Sequence, residues 1–189
     1  TFPITRALIS VSDKSGLESL LAVLAKFNVE IISTGGTEVF IRNAGYKVKN
    51  ISELTGFPEI MDGRVKTLHP SVHGAFLFKR DVEEHRKEAD ENNIVPIDLL
   101  VLNLYPFEAT IAKEYASHEE IIENIDIGGP AMLRSAGKNY ESVALLTSPT
   151  QYASFIEELV THNGATTHEM RLRLASEAFA HVAHYDMII

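Results

Sequence analysis

The sequence predicts an α/β fold of three layers, in which a mainly parallel sheet carries helices on both faces. Short, continuous apolar runs alternate along the chain with segments whose apolar residues recur at helical spacing. Continuous apolar runs are typical of strands that are buried on both sides, as in parallel sheets. Strands that alternate with helices favour such a sheet. The 189 residues correspond to about one domain, so we treat residues 1–189 as a single unit.

In the first half of the chain we predict strands at residues 7–11, 29–33 and 48–51. The helix after the first strand is indicated by apolar residues at helical spacing, namely Leu17, Leu20, Leu21, Leu24 and Phe27. A second helix is predicted around Val39 and ends at Gly45. Residues 53–73 contain glycines and prolines without a clean period. Because their apolar residues show neither helical nor strand periodicity, we predict a long irregular loop here. Such loops in compact domains are often functional.

In the second half, the acidic residues 81–92 predict a solvated surface helix, and residues 97–104 are the clearest strand. Helices are expected at 106–115, 118–124 and 127–139, the last with Pro130 in its first turn, followed by a strand at 142–146. Capping boxes, Ser148 with Gln151 and Thr166 with Glu169, precede the last two helices. The final helix is predicted to bury Leu174, Ala178, Val182 and Tyr185.

Composition and charge exclude several classes of protein. The formal net charge is −9 and cysteine is absent, so we exclude a globally basic nucleic-acid-binding surface, zinc ribbons and disulfide frameworks. No apolar run approaches the ~20 residues that a membrane helix needs. We therefore expect a cytoplasmic protein with no nucleic-acid partner and no membrane partner.

Polar residues follow the first two strands, where parallel sheets bind ligands. They are Ser12, Asp13, Lys14, Thr34, Gly35, Gly36 and Thr37. Glycines allow close backbone approach, and the following helices offer unpaired N–H groups, which suits a phosphate. The pattern matches neither a Walker loop nor the dinucleotide-binding fingerprint. Plain tight turns remain the alternative.

Two further groups carry candidate ligands. Arg64, Lys66 and Thr67 lie in the irregular loop and are suited to clamping a phosphate or carboxylate. Asn103 and Tyr105 end the clearest strand, and they would share a face of the sheet if the strand persists. A tyrosine near lysines can also have a more labile proton. Ordinary surface positions are the alternative for both groups.

Asp126 precedes the helix start at Gly128, where the helix dipole favours an ionised carboxylate. Lys138 lies at the other end of that helix. Both positions are also common for purely structural reasons, as an N-cap and as a basic residue near a helix C-terminus. The eight histidines suggest no metal site, because no third ligand accompanies His69 and His73.

The ordered motifs closely resemble one family, and together they cover essentially the whole chain. They are residues 10–16 (SVSDKSG), 33–37 (STGGT), 53–59 (ELTGFPE), 63–70 (GRVKTLHP), 103–107 (NLYPF), 124–130 (NIDIGGP) and 134–139 (RSAGKN). The chain is similar to the inosine monophosphate (IMP) cyclohydrolase domain of bifunctional purine biosynthesis proteins. This resemblance implies a fold like that of methylglyoxal synthase.

The resemblance also implies a hydrolase-class activity, closure of the purine ring of 5-formamidoimidazole-4-carboxamide ribonucleotide to give IMP and water. It implies no cofactor and no metal, a homodimer, and a second, transformylase domain in the family protein. The implied catalytic residues are Lys66, Tyr105, Asp126 and Lys138. The implied substrate-binding residues are Ser12, Asp13, Lys14, Thr34, Gly35, Gly36, Thr37, Arg64, Val65, Thr67, Leu102, Asn103, Ile127 and Gly128.

In the mechanism that the resemblance suggests, Asp126 accepts the proton of the attacking nitrogen and Lys138 delivers a proton to the departing oxygen. Lys66 and Tyr105 would assist at the oxyanion. Gly137 stands where the family usually has alanine, and Ser15 where threonine is common. Neither change removes a functional group, so we expect activity to survive.

Two alternatives use the same fold. One is a methylglyoxal synthase-like lyase, which eliminates phosphate from dihydroxyacetone phosphate. The other is a regulatory domain that senses a phosphorylated ligand. The motifs around Arg64 and Asn103 argue against the lyase, and a sensor would not need Asp126 or Lys138.

Overall fold

The computed structural model describes residues 1–189. Its strands are β1 (Phe2–Pro3), β2 (Arg6–Ser10), β3 (Glu30–Ser33), β4 (Lys49–Asn50), β5 (Leu99–Leu102), β6 (Ala144–Leu146) and β7 (Ala165–Thr166). Its helices are α1 (Leu17–Lys26), α2 (Gly35–Asn43), α3 (Ile51–Thr55), α4 (Pro70–Leu77), α5 (Glu83–Glu91), α6 (Phe107–Ile111), α7 (His118–Glu123), α8 (Gly128–Lys138), α9 (Tyr152–Thr161) and α10 (His168–Ile188). Short 3₁₀ turns span Met61–Gly63 and Pro149–Gln151.

A five-stranded parallel sheet in the order β4-β3-β2-β5-β6 forms the centre of the molecule. Leu8 of β2 lies opposite Ile32 of β3 and Leu100 of β5, and all three side chains are buried. β1 and β7 pair antiparallel in a separate two-stranded sheet. β5 and β6 are apolar along their whole length, and the middle three residues of β2 are apolar and buried, which is typical of strands that helices cover on both faces.

The connections between strands place the helices in two layers. α1 joins β2 to β3, whereas α8 lies between β5 and β6, on the other side of the sheet order. Right-handed crossovers that run in opposite directions put their helices on opposite faces. Accordingly, α1 packs against α9, and α8 packs against α4 and α10. The predicted three-layer α/β fold is confirmed.

The strand order reverses between β2 and β5, and this reversal fixes where a ligand can bind. From β2 the chain moves outward to β3 and β4, and it then returns to β5 on the other side of β2. Helices therefore diverge above the carboxyl ends of β2 and β5 and leave a crevice there. The segments that follow β2, β3 and β5 carry most of the predicted site residues.

Some predicted boundaries were wrong. β5 ends at Leu102, two residues before the predicted end, so Asn103 and Tyr105 lie beyond the strand. The segment predicted as irregular from 53 to 73 contains the end of α3 and the start of α4, and only residues 56–69 lack an α-helix. Pro70 starts α4 because proline suits the first helical turn.

The capping predictions had mixed outcomes. Ser148 and Gln151 form the predicted capping box, although it opens a 3₁₀ turn that leads into α9. The predicted second box, Thr166 with Glu169, does not form, and the N-cap of α10 lies one residue later. Thr167 caps α10 by accepting from the N–H of Met170, because Thr166 is held in β7. Leu174, Ala178, Val182 and Tyr185 are buried, as predicted. No helix combines the length and the apolar character that a membrane crossing requires.

Gly137 lies in the contact between α8 and α10. A β-carbon at this position would lie 2.9 Å from Cε2 of Phe179, and Phe179 is itself 39% exposed. The glycine therefore gives the Phe179 ring room on the surface of α8. This contact gives a structural reason for the departure from alanine noted in the sequence.

Candidate active site

A cleft of about 650 Å³ opens above the carboxyl ends of β2, β3 and β5. It is lined by all but two of the predicted site residues, namely Ser12, Lys14, Thr34, Gly35, Gly36, Thr37, Arg64, Val65, Lys66, Thr67, Leu102, Asn103, Tyr105, Asp126, Ile127 and Gly128. Residues that are far apart in the sequence thus meet in one place.

Asp13 and Lys138 are the two predicted residues that the structure does not bring into the cleft. Asp13 lines a smaller cavity beside the cleft, and its Oδ1 accepts from the N–H of Ser15 at 2.9 Å. Lys138 is exposed at the last residue of α8. Ten residues of helix put it about 15 Å from Gly128, at the opposite end of α8 from Asp126.

The segments after β2 and β3 are tied together by hydroxyl groups. Thr37 Oγ1 donates to the carbonyl of Val11 at 2.9 Å and accepts from the N–H of Val11 at 3.0 Å. Ser10 Oγ and Thr34 Oγ1 lie 3.1 Å apart. These contacts hold the start of α2 close to the end of β2.

The N-terminus of α2 faces the cleft without a side-chain cap. Thr34 is the N-cap residue, but its hydroxyl makes no cap hydrogen bond, and Gly35 and Gly36 are exposed. The first N–H groups of a helix have no intrahelical partner, and the helix dipole favours an anion there. Lys14 lines the cleft, and its Nζ donates to the carbonyl of Val11 at 3.3 Å, the same carbonyl that accepts from Thr37 of α2. The arrangement suits a phosphate group.

The loop of residues 56–69, hereafter the 56–69 loop, carries the other cations. Lys66 Nζ lies 3.7 Å from Glu59 Oε1, and it would lie 3.7 Å from a β-carbon on Gly35, so it faces the start of α2. Arg64 forms an ion pair with Glu123 at the end of α7, and this hydrogen-bonded pair raises the pKa of Arg64. Both cations therefore have carboxylate partners in this structure.

Asp126 lies just before α8 and is held there by the helix. Its Oδ1 accepts from the N–H of Gly129 at 2.7 Å, although Ile127 is the formal N-cap residue. Burial raises the pKa of Asp126 and outweighs the opposing effect of the N–H groups of Gly129 and Tyr105. The N–H groups at the helix start favour the ionised form, as the sequence predicted, but burial has the larger effect.

Tyr105 lies at the rim of the cleft and is 48% exposed. Burial of its ring and the nearby carboxylates of Asp126, Glu123 and Glu59 raise the pKa of Tyr105. The expectation of a more labile phenolic proton was wrong, because burial first, and then the acidic neighbours, raise the pKa of Tyr105. Tyr105 is thus a hydrogen-bond donor over the physiological pH range.

The Asn103 side chain hydrogen-bonds to two neighbouring segments, a structural role that was not predicted from the sequence. Its Oδ1 accepts from the N–H of Asp13 at 3.2 Å, and its Nδ2 donates to the carbonyl of Thr147 at 3.0 Å. The amide therefore joins the segments that follow β2, β5 and β6. Asn103 thus lines the cleft and also fixes the relative positions of these three segments.

Several cleft residues were not predicted, among them Ser10, Asp62, Gly63, Glu123, Gly129 and Met132. Most of them lie within a few residues of a predicted site residue in the sequence, so they could have been predicted from those neighbours. Glu123 directly precedes the motif at 124–130, but it was not predicted because it lies on a short helix with ordinary surface charge. No three His, Asp or Glu side chains group together in a way that could hold a metal ion.

Comparison with known proteins identifies the family. A family model described as "MGS-like domain" matches residues 16–131. The chain belongs to that family. A second model, described as "AICARFT/IMPCHase bienzyme", matches residues 136–189. The fold inferred from the motifs, that of methylglyoxal synthase, is confirmed by this match.

Two curated relatives and a solved structure are similar to this MGS-like chain over 97–98% of its residues. The bifunctional purine biosynthesis protein PurH of Bradyrhizobium diazoefficiens is 55% identical over 186 residues, which are 98% of this chain and 35% of the relative. PurH of Chlorobaculum parvum is also 55% identical, and the match covers 36% of it. This chain thus spans about a third of the length of these relatives. The crystal structure of ForH superposes with a TM-score of 0.87 at 36% identity and covers 97% of this chain and 93% of the ForH chain.

Proposed function

We propose that this chain closes the purine ring of 5-formamidoimidazole-4-carboxamide ribonucleotide to give IMP and water. The observation that carries the proposal is that one cleft holds an anion site at the start of α2 and a half-buried carboxylate, Asp126, at the start of α8. The likeness to PurH indicates a purine precursor as the ligand. It favours this reaction over the lyase and the sensing domain.

The phosphate of the ribonucleotide would bind at the start of α2. The free N–H groups there, together with Lys14 and Lys66, supply hydrogen bonds and positive charge. This remote contact fixes the base relative to Asp126. Pre-alignment of reacting groups can supply roughly 7–11 kcal/mol of the barrier.

Ring closure joins the carboxamide nitrogen to the formyl carbon. The nitrogen loses a proton as the C–N bond forms, and Asp126 would accept it. Asp62 and Glu123 also line the cleft, but they are exposed, whereas Asp126 is half-buried. A raised pKa makes Asp126 a stronger base than an ordinary aspartate. The formyl oxygen becomes an oxyanion, and the N–H of Gly128, Lys66 and Tyr105 line the cleft as donors.

Loss of water completes the reaction. The former formyl oxygen takes up two protons and leaves as water. One is the proton that the attacking nitrogen released, and the other is lost by the former formamide nitrogen as its double bond to carbon forms. Asp126, once protonated, and Tyr105, whose pKa is raised, line the cleft and are the acids that we assign to this transfer. Lys138 of the same chain lies at the far end of α8, so this version of the mechanism does not use it.

The remaining expectations concern assembly. By resemblance, the native protein acts in the cytoplasm as a homodimer and carries a transformylase domain. The length of PurH, of which this chain matches 35%, supports the last expectation. Sedimentation equilibrium of the purified chain would determine its oligomeric state.

The direct experiment mixes the purified chain with the formamido ribonucleotide and follows the ultraviolet absorbance of the purine, without folate or added metal. We expect enzyme-dependent formation of IMP. Dihydroxyacetone phosphate serves as the control substrate, and we expect no methylglyoxal from it. Tight nucleotide binding without conversion would indicate a sensing domain instead, and absence of binding would refute the phosphate site.

A further inference from the structure

Tyr185 lies near the end of α10 and reaches the segment that leads into α8. Its side chain is buried, with 7% of the residue exposed. The residues that it meets, Asn124 to Asp126, connect α7 to α8 and belong to no helix or strand. A connection without regular structure needs contacts from elsewhere to fix its conformation.

The Tyr185 hydroxyl makes two hydrogen bonds to this connection. It accepts from the N–H of Asp126 at 2.8 Å, and it donates to the carbonyl of Asn124 at 3.1 Å. Both of its partners are backbone groups, so the hydroxyl holds the main chain on both sides of Ile125. The Asp126 carboxylate is held separately by the N–H of Gly129. Asp126 is therefore fixed at two points, its backbone by α10 and its side chain by α8.

The ring of Tyr185 is itself held in place. It packs edge-on against Phe107, with ring centroids 6.3 Å apart and an interplanar angle of 69°. Phe107 is buried at the start of α6, and α10 packs along α8. The position of the hydroxyl is thus set by the core rather than by the cleft. Tyr185 does not line the cleft.

We propose that Tyr185 is a positioning residue that sets where the Asp126 carboxylate stands in the cleft. This inference rests on the proposed function in so far as Asp126 is the reacting carboxylate. Without the hydroxyl, the N–H of Asp126 and the carbonyl of Asn124 lose a common partner, and the connection gains freedom. The carboxylate would then sample positions that do not face the substrate and would become more accessible to water.

The test replaces Tyr185 by phenylalanine and uses Tyr152→Phe as the matched control. The Tyr152 hydroxyl is also buried but has no hydrogen-bond partner, and Tyr152 lies in the core at the start of α9. We expect kcat of the Tyr185→Phe variant to fall by about 10- to 100-fold, the cost of misplacing a reacting group by about 1 Å. The acidic limb of its pH profile should move to lower pH, because a more solvated carboxylate ionises more easily.

A purely structural role for Tyr185 would lower only the thermal stability. If Tyr185→Phe matched Tyr152→Phe in kcat and in the pH profile, the proposal would be overturned. A second measurement does not depend on turnover. Carbon NMR titration of the Asp126 carboxyl, assigned with Asp126→Asn, should show a lower pKa in Tyr185→Phe, and an unchanged pKa would also overturn the proposal. Failure of the wild-type chain to form IMP would refute the proposed function and leave this titration as the test of positioning.

Discussion

Asp126 and Gly129 touch at the entrance to α8. The N–H of Gly129 donates to Asp126 Oδ1 at 2.7 Å, and the carboxylate fills the space that a β-carbon on Gly129 would occupy. The glycine is required here by this close approach. The position of the reacting carboxylate thus depends on a residue that has no side chain.

Substitution of Gly129 by alanine should displace the Asp126 carboxylate, because the new methyl group and the carboxylate cannot occupy the same space. We expect kcat to fall by about 100-fold, the typical effect of a misplaced reacting group, with a smaller change in KM. Steady-state kinetics of IMP formation would measure this, with circular dichroism as a check of folding. Unchanged kcat would show that the carboxylate does not need this position.

Asp126→Asn should reduce kcat by about 10²- to 10⁴-fold, the usual contribution of a general acid or base. At neutral pH the same substitution should raise the free energy of unfolding, although it lowers activity. Because burial raises the pKa of Asp126, the stability that this carboxyl contributes is present at low pH and is lost as the pH rises through its folded pKa. Asparagine does not ionise and avoids this loss.

Thermal unfolding of wild type and Asp126→Asn at pH 4 and pH 7 would check the sign. We expect the melting temperature of the variant, relative to wild type, to be higher at pH 7 than at pH 4. The reverse order would mean that the ionised carboxylate stabilises the folded protein.

Glu123→Gln should release Arg64 from its ion pair at the rim of the cleft. Arg64 could then bind an anionic substrate without first breaking its ion pair with Glu123. We expect KM to fall by no more than about fivefold, because exposed ion pairs contribute little free energy, and the effect should weaken as salt is added. A rise in KM would show instead that the pair holds the 56–69 loop in the conformation that binds substrate.

The geometry of one chain predicts that Lys138→Ala retains kcat within about threefold, since exposed substitutions away from a site have small effects. The ammonium group lies at the exposed end of α8, and Asp126 lies at the other end. The same kinetic assay measures the effect, with Lys66→Ala as the comparison expected to lose activity. A large loss in Lys138→Ala would indicate that a second copy of the chain delivers this lysine to the cleft.

The fold class and most of the residues that line the cleft could be predicted from the amino-acid sequence. Apolar runs such as that of β5 can only be buried on both faces, and this requires helices above and below a parallel sheet. Ligand sites of parallel sheets lie at the carboxyl ends of the strands, and the residues around Lys14 and Gly35 were predicted in this way, whereas Lys66 was predicted from its place in the irregular loop.

Other features of the site depend on tertiary packing, which sets which groups lie next to one another and how exposed each group is to water. The structure showed that burial outweighs the helix dipole at Asp126, and that carboxylates rather than lysines surround Tyr105. It separated Lys138 from Asp126, because a straight helix holds its two ends apart. It also joined Tyr185 to Asp126 across 59 residues of sequence, through packing that no local pattern encodes.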